Sequence, residues 1–260
     1  MKINLIIGGA EKGGTTALHH LLKSHPKILM PRAKELHFFS NENHFMKGGV
    51  DYRQYHRMFI GRSYKDKFKL YYKYLNGGRI FGDASPEYMY WKPVPERIYQ
   101  YNPSAKWILL LRNPIDRAFS HYKMNVFRKK YEKLSFMDAL HKNQELLLQD
   151  KQDKVFSYID KGFYSGQLKN IYKYFDKSNV FIETSDIFKD NTFYTLNNIC
   201  NFLGIDSYQE QCIPPSYDNN VGVDNIVMSD QEREYLVNIF RDEIHKLEII
   251  LNRDLSSWME

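Results

Sequence analysis

The residues whose types and spacing could do chemistry begin at position 8. The stretch GGAEKGGTTAL, residues 8–18, sets two Gly-Gly pairs around a lysine and closes on two threonines. An apolar run, INLII at 3–7, precedes it, and Leu18, Leu21 and Leu22 follow on one helical face. Strand, glycine loop and helix start form the context in which backbone N–H groups point at an anion. The amides around Gly13 and Gly14, the ammonium of Lys12 and the hydroxyls of Thr15 and Thr16 are the candidate phosphate ligands. The bland alternative is a tight strand-to-helix turn with a solvated Lys12. The commonest phosphate loop reads G-x-x-x-x-G-K-[ST], with its lysine on the β/γ-phosphates and its hydroxyl on Mg²⁺. Counted from Gly9, Gly14 fits that pattern, but Thr15 stands in the lysine position and Lys12 lies three residues earlier. An ATP-dependent kinase, with Asp83 after RIFG as its metal partner, has to account for the displaced lysine.

The elements that must position this loop are legible as short apolar runs. INLII (3–7), RIFGDA (79–84), KWILLL (106–111) and NVFIE (179–183) read as strands buried on both faces, as in a parallel sheet. Helical patterns separate them. Pro26 ends the first, and Pro114 opens DRAFSHYKMNVF in the first-turn position that suits proline. Leu168, Ile171, Tyr172 and Phe175 repeat at helical spacing, and SDQE at 229–232 is a capping box before Leu236, Ile239, Phe240 and Leu247. The fold class is therefore α/β: a parallel central sheet flanked by helices, with a P-loop-like strand–loop–helix, in one domain spanning 1–260. The stretch from about 44 to 76, rich in Tyr, Lys and Arg, reads as an insertion over the ligand edge of the sheet. Residues 205–228 read as a long, functional loop.

Composition narrows the function. The 260 residues suffice for one sizeable core, and 43% hydrophobic with 26% charged residues is ordinary for a globular chain. A net charge of +6 points to an acidic partner, such as an anionic nucleotide or glycan. There is no run of 18 apolar residues and no signal-peptide pattern, so no membrane span and a cytoplasmic location are expected. Cys200 and Cys212 lie in no ligand-spaced cluster, so two reduced thiols and no metal site are expected.

Several motifs together resemble one family. EKGGTTAL looks like the 5′-phosphosulfate loop of sulfotransferases that use 3′-phosphoadenosine 5′-phosphosulfate (PAPS), whose loop lysine sits where Lys12 sits. LLLRNPIDRAFSHY (109–122) resembles the family's 3′-phosphate motif, with Arg112 and Ser120 matching. KELHFFS (34–40) is like the segment carrying its catalytic glutamate, matched by Glu35. GDASPEYMY (82–90) and GFYSGQL (162–168) follow in family order. The similarity is greatest to the glycan-modifying, heparan sulfate branch, as a bacterial-type member. Ala84 stands where that branch carries a lysine, and SYDNNVG (216–222) lacks the basic residues of its C-terminal cofactor loop.

The resemblance implies sulfuryl transfer from PAPS to a hydroxyl or amine, most naturally of a carbohydrate, leaving 3′,5′-adenosine bisphosphate (PAP). It implies neither a metal nor a nucleic-acid partner. Such a reaction is catalysed by positioning and charge stabilisation. Lys12 would stabilise charge on the leaving oxygens, and the Arg112 fork and Ser120 would hold the 3′-phosphate. Glu35 would be the general base, with burial raising its pKa to a useful range. His37 is the second candidate base, or orients the acceptor. Taken singly, Glu35 reads as a surface carboxylate paired with Lys34, and His37 as a core histidine. Tyr217 would stack on the adenine, although packing explains it equally well. A kinase and a non-catalytic nucleotide- or polyanion-binding protein are the alternatives.

Overall fold

The computed structural model describes residues 2–260 except 32, 47–48, 61–62, 76, 128–129, 150–151, 154 and 209–225, with residue 66 described by its backbone alone. The strands are β1 (Leu5–Gly9), β2 (Ile28–Leu29), β3 (Ile80–Ala84), β4 (Lys106–Leu111) and β5 (Val180–Thr184). All are parallel, in the order β2-β3-β1-β4-β5. Ile7 of β1 lies opposite Ala84 on one side and Ile108 on the other. Every residue of β1 is buried, and so is every residue of β4 except Lys106. That is why both read as unbroken apolar runs rather than alternating ones. Four strands fall where the sequence predicts them within a residue or two; β2, two residues long, has no periodic signal.

The helices are α1 (Thr15–Ser24), α2 (Tyr52–Ile60), α3 (Tyr64–Leu75), α4 (Val94–Tyr101), α5 (Pro114–Phe127), α6 (Phe136–Leu148), α7 (Tyr164–Tyr172), α8 (Ser185–Asp190), α9 (Thr192–Leu203) and α10 (Asp230–Leu251). The described residues group into two compact units, Met1–Leu111 with Asn170–Tyr217, and Arg112–Lys169 with Asp218–Glu260. In the first, Leu18, Leu21 and Leu22 of α1 pack with Ile108 and Leu110 of β4 and Leu196, Ile199 and Leu203 of α9. The predicted insertion is the pair α2–α3. From α2, Tyr55 reaches the carboxyl end of β3, while α3 lies against the edge strand β2. In the second unit α5 packs on α10, and Phe119, Tyr122 and Phe136 form an aromatic cluster. The Ser229–Glu232 capping box opens α10 as the sequence predicts.

Among the described residues, no helix is long and apolar enough to cross a membrane. Ile108 is fully buried in the centre of the sheet. Ile108→Ala should cost about 2–5 kcal/mol, seen as a lower urea midpoint at unchanged slope. A loss no larger than that of a surface change, about 0.5 kcal/mol, would place this strand outside the core.

Candidate active site

The glycine loop leaves β1 between its two central neighbours. Ala10 N donates to Leu110 O at 2.8 Å and Gly13 N to Ala10 O at 2.9 Å. A Cβ on Gly13 would stand 2.3 Å from Leu110 O, so only glycine lets the loop lie this close to β4. Gly14, at φ 93°, precedes α1 in the left-handed region, with no side-chain cap and no acidic residue in the first turn. The N-terminal end of α1 therefore presents its positive dipole and first-turn amides uncapped. Thr15 is buried, and Thr16 and Lys12 are half-buried. Ser185, at the start of α8, buttresses the loop by donating to Gly13 O at 2.8 Å.

The second part of the site follows β2. Lys12, Glu35 and His37 are three of the five non-glycine residues with positive φ among the described residues, at 71°, 66° and 53°. They are the same three residues that the sequence singles out for catalysis. Each such conformation costs roughly 1–3 kcal/mol and persists only where the surroundings over-determine it. Here Glu35 N donates to Ala84 O at 3.0 Å, His37 N donates to Ser85 Oγ at 3.2 Å, and Leu36, Phe38 and Phe39 are buried between and beside them.

The side chains form one continuous polar run. Lys34 Nζ donates to Thr15 Oγ1 at 3.4 Å and to Glu35 Oε1 at 3.0 Å, which joins the glycine loop to the Glu35 segment. His37 Nε2 lies 3.3 Å from Glu35 Oε2, and its Nδ1 lies 2.8 Å from Glu87 Oε1. Ser40 Oγ donates to that same Glu87 oxygen. Burial pushes the Glu35 carboxyl up, but the hydrogen bond from His37 and the ammonium of Lys34 outweigh it and hold the group at about 2. Burial likewise pushes His37 down, and its bonds to Glu35 and Glu87 overcome that and raise it to about 9. This reverses the sequence expectation for Glu35, because its cationic neighbours outweigh desolvation. At neutral pH Glu35 is a carboxylate and His37 an imidazolium that donates from both nitrogens. In that state the proton-accepting group is Glu35. The Glu35 and His37 side chains remain 40% and 41% exposed, so solvent screening limits what the pair adds to stability.

Beneath this run lies Asp83, fully buried at the carboxyl end of β3. Its Oδ2 accepts from Tyr55 and Tyr88 hydroxyls, each at 2.9 Å, and its Oδ1 from Ser85 Oγ at 3.0 Å. Burial raises its pKa against these bonds. Both oxygens are engaged by protein hydroxyls, which is a poor arrangement for the metal-binding carboxylate of a kinase. Among the described residues, no group of three or more His, Cys, Asp or Glu is placed to hold a metal ion.

Arg112 and Ser120 belong to the second unit, and both are half-buried. Arg112 stands two residues before α5, with its carbonyl accepting from Tyr164 OH at 3.0 Å; Ser120 lies on α5 itself. Asp116, a conceivable partner for Arg112, is paired with Arg233 at 2.9 Å. Tyr217 and the stretch 216–222 lie outside the described residues. Lys34, Ser85, Glu87 and Ser185 take part in the site without having been assigned a role from the sequence. Lys34 had a signal, its adjacency to Glu35; the others are polar residues whose partners lie far away in the chain.

A parallel sheet whose first strand feeds a glycine loop and an uncapped helix is the anion-binding α/β class. Within it, a model of the Sulfotransferase family matches residues 4–172, and the chain belongs to that family. A sulfotransferase structure from Alicyclobacillus acidocaldarius is 30% identical, with a TM-score of 0.80 and 100% of both chains covered. Mouse heparan sulfate glucosamine 3-O-sulfotransferase 5 is 34% identical over 50% of this chain, and isoform 6 is 26% identical over 77%. The chain spans 35% and 52% of the lengths of these two relatives. A mouse sulfotransferase complexed with PAP shares the fold, with a TM-score of 0.55 at 14% identity over 94% of this chain and 85% of its own.

Glu87→Gln removes one of the two carboxylates that keep His37 charged. The His37 pKa should then fall from about 9 toward its ordinary 6.5, as read by NMR titration of the ring. Because the folded value is the raised one, His37 contributes stability that is complete below about 6.5 and is lost as pH rises through about 9. The variant should lose less stability than wild type across that window. An unchanged His37 titration would contradict the assigned pairing.

Proposed function

We propose that the protein transfers a sulfuryl group from PAPS to a hydroxyl or amine of a carbohydrate. The carrying observation is the Lys34 ammonium, which touches both Thr15 of the glycine loop and Glu35. It puts the candidate anion cradle and the candidate base within one side chain of each other. Family membership supports the reaction class, and the relatives named as heparan sulfate glucosamine 3-O-sulfotransferases support the acceptor class. The fold neighbour complexed with PAP supports the nucleotide.

The residues present fit such a donor: a glycine cradle that a Cβ would fill, and a helix N-terminus left without side-chain cap or acid. PAPS would supply a sulfuryl group on a phosphate leaving group. The amides of Gly14, Thr15 and Thr16 and the two threonine hydroxyls would hold its 5′-phosphosulfate, the Gly13 amide being used within the loop on Ala10 O. Lys12 would meet charge developing on the leaving oxygen. Arg112 and Ser120 would take the 3′-phosphate. Glu35 would receive the acceptor's proton while His37, fixed by Glu87, aims the carboxylate. Lys34 passing from Glu35 toward the donor as the site fills would remove one of the two cationic partners that hold the Glu35 carboxyl low, leaving the His37 hydrogen bond in place.

A screen of oligosaccharides, lipids and phenols with labelled donor tests the reaction, and an oligosaccharide should be the best acceptor. Donor choice is tested separately. PAP should stabilise the protein thermally far more than ATP or AMP, with or without Mg²⁺, by about 2.7 kcal/mol at a hundredfold excess over Kd. Equal stabilisation by Mg-ATP would favour the kinase. Lys12→Ala should lower turnover much more than donor affinity, because only the excess interaction in the transition state speeds the step. Full turnover in that variant would return Lys12 to the status of a solvated side chain.

A further inference from the structure

The α2–α3 insertion carries a surface to which none of the residues assigned above to sulfuryl transfer belongs. In α3, Tyr64, Phe68, Tyr71 and Leu75 recur at i, i+4, i+7 and i+11 and so share one face. That face points outward, with Tyr64 88% and Phe68 68% exposed, and no described side chain of α3 is buried. Lys65, Lys67 and Lys69 flank the stripe and are exposed, with Lys67 Nζ 5.5 Å from the centre of the Tyr64 ring.

The helix is held in this orientation from its other side. Lys73 Nζ donates to the carbonyls of Lys23, His25 and Ile28, at 2.6, 2.9 and 3.1 Å. Burial, with Lys23 nearby, lowers its pKa to about 8. Three main-chain carbonyls thus pin α3 along the β2 edge and leave the aromatic stripe facing out. Alongside it runs a cleft of about 880 Å³, lined by Phe59, Phe68 and Tyr72 together with Lys23, Lys65 and Lys69. Apolar walls with ammonium groups at their margin match a chain that ends in an anionic head.

We infer that α3 and its cleft form a docking surface for an anionic lipid bilayer. Rings belong at the boundary between headgroup and acyl chain, and flanking lysines reach lipid phosphates from there. Two copies meeting through this face would set lysines against lysines. A soluble polyanionic glycan would satisfy the lysines and leave Phe68 and Leu75 in water. A bilayer covers both kinds of group at once. The inference does not depend on the sulfuryl-transfer reading, and its test requires no turnover.

Flotation with phosphatidylcholine vesicles, with and without phosphatidylglycerol, tests it on the full chain. The protein should float only with the anionic vesicles and be released by salt. The triple substitution Phe68→Ser, Tyr71→Ser, Leu75→Ser should weaken partition at least about tenfold, and so should Lys65→Glu, Lys67→Glu, Lys69→Glu. If either triple variant misfolds, Phe68→Trp keeps a ring and adds fluorescence that brominated phosphatidylglycerol should quench. The inference is overturned if wild type floats equally with neutral vesicles, or if Phe68→Trp fluorescence is unquenched. It is also overturned if the lysines bind a soluble sulfated glycan while anionic vesicles are ignored, or if the face proves to join two copies.

Discussion

A carboxylate with no access to water organises this site. Asp83 is fully buried, and desolvating an acid there is costly unless its oxygens are satisfied. Tyr55, Tyr88 and Ser85 satisfy them, and each of the three leads somewhere. Tyr55 ties the α2–α3 insertion to the end of β3. Tyr88 OH accepts from Phe39 N at 3.4 Å, and Ser85 Oγ accepts from His37 N, so both hold the segment that carries Glu35. One buried group thus secures the insertion and two points of a strained loop, and the left-handed backbones of Glu35 and His37 depend on that support.

Charge is arranged on this scaffold in alternation: Lys34, Glu35, His37, Glu87. Each ion is flanked by its opposite, which explains why the Glu35 carboxyl sits low and His37 sits high despite partial burial of both. Lys34 links the array to the glycine loop through Thr15, so an anion held in the loop would compete for the Lys34 ammonium.

Much of the fold was legible because it is local. KWILLL matches β4, and SDQE matches the cap of α10, since continuous burial and capping leave marks within a few residues. The glycine loop, Glu35 and His37 were legible through motif and resemblance. Other features depend on long-range partners. Asp83 could be offered in sequence as the metal partner of the kinase alternative because Tyr55, which occupies it, lies 28 residues away. The sign of the shift on Glu35 turns on His37 being charged, and that charge is held in part by Glu87, 50 residues beyond His37. β2 is too short for any period to show, and the aromatic stripe of α3 was visible only as composition until the bonds of Lys73 showed which side of the helix faces β2. Arg117 is fully buried and donates to the Tyr158 carbonyl, 41 residues away, another partner that no local pattern marks.

The central claim is that Glu35, held by this array, accepts the acceptor's proton. The most direct measurement is the single-turnover rate of Glu35→Gln at saturating donor, beside His37→Ala, with donor affinity measured in both. The account predicts a loss of about 10²–10⁴-fold in Glu35→Gln with donor affinity nearly unchanged, and a smaller loss in His37→Ala. A Glu35→Gln protein that keeps most of its rate while His37→Ala loses it would contradict the account and make His37 the base.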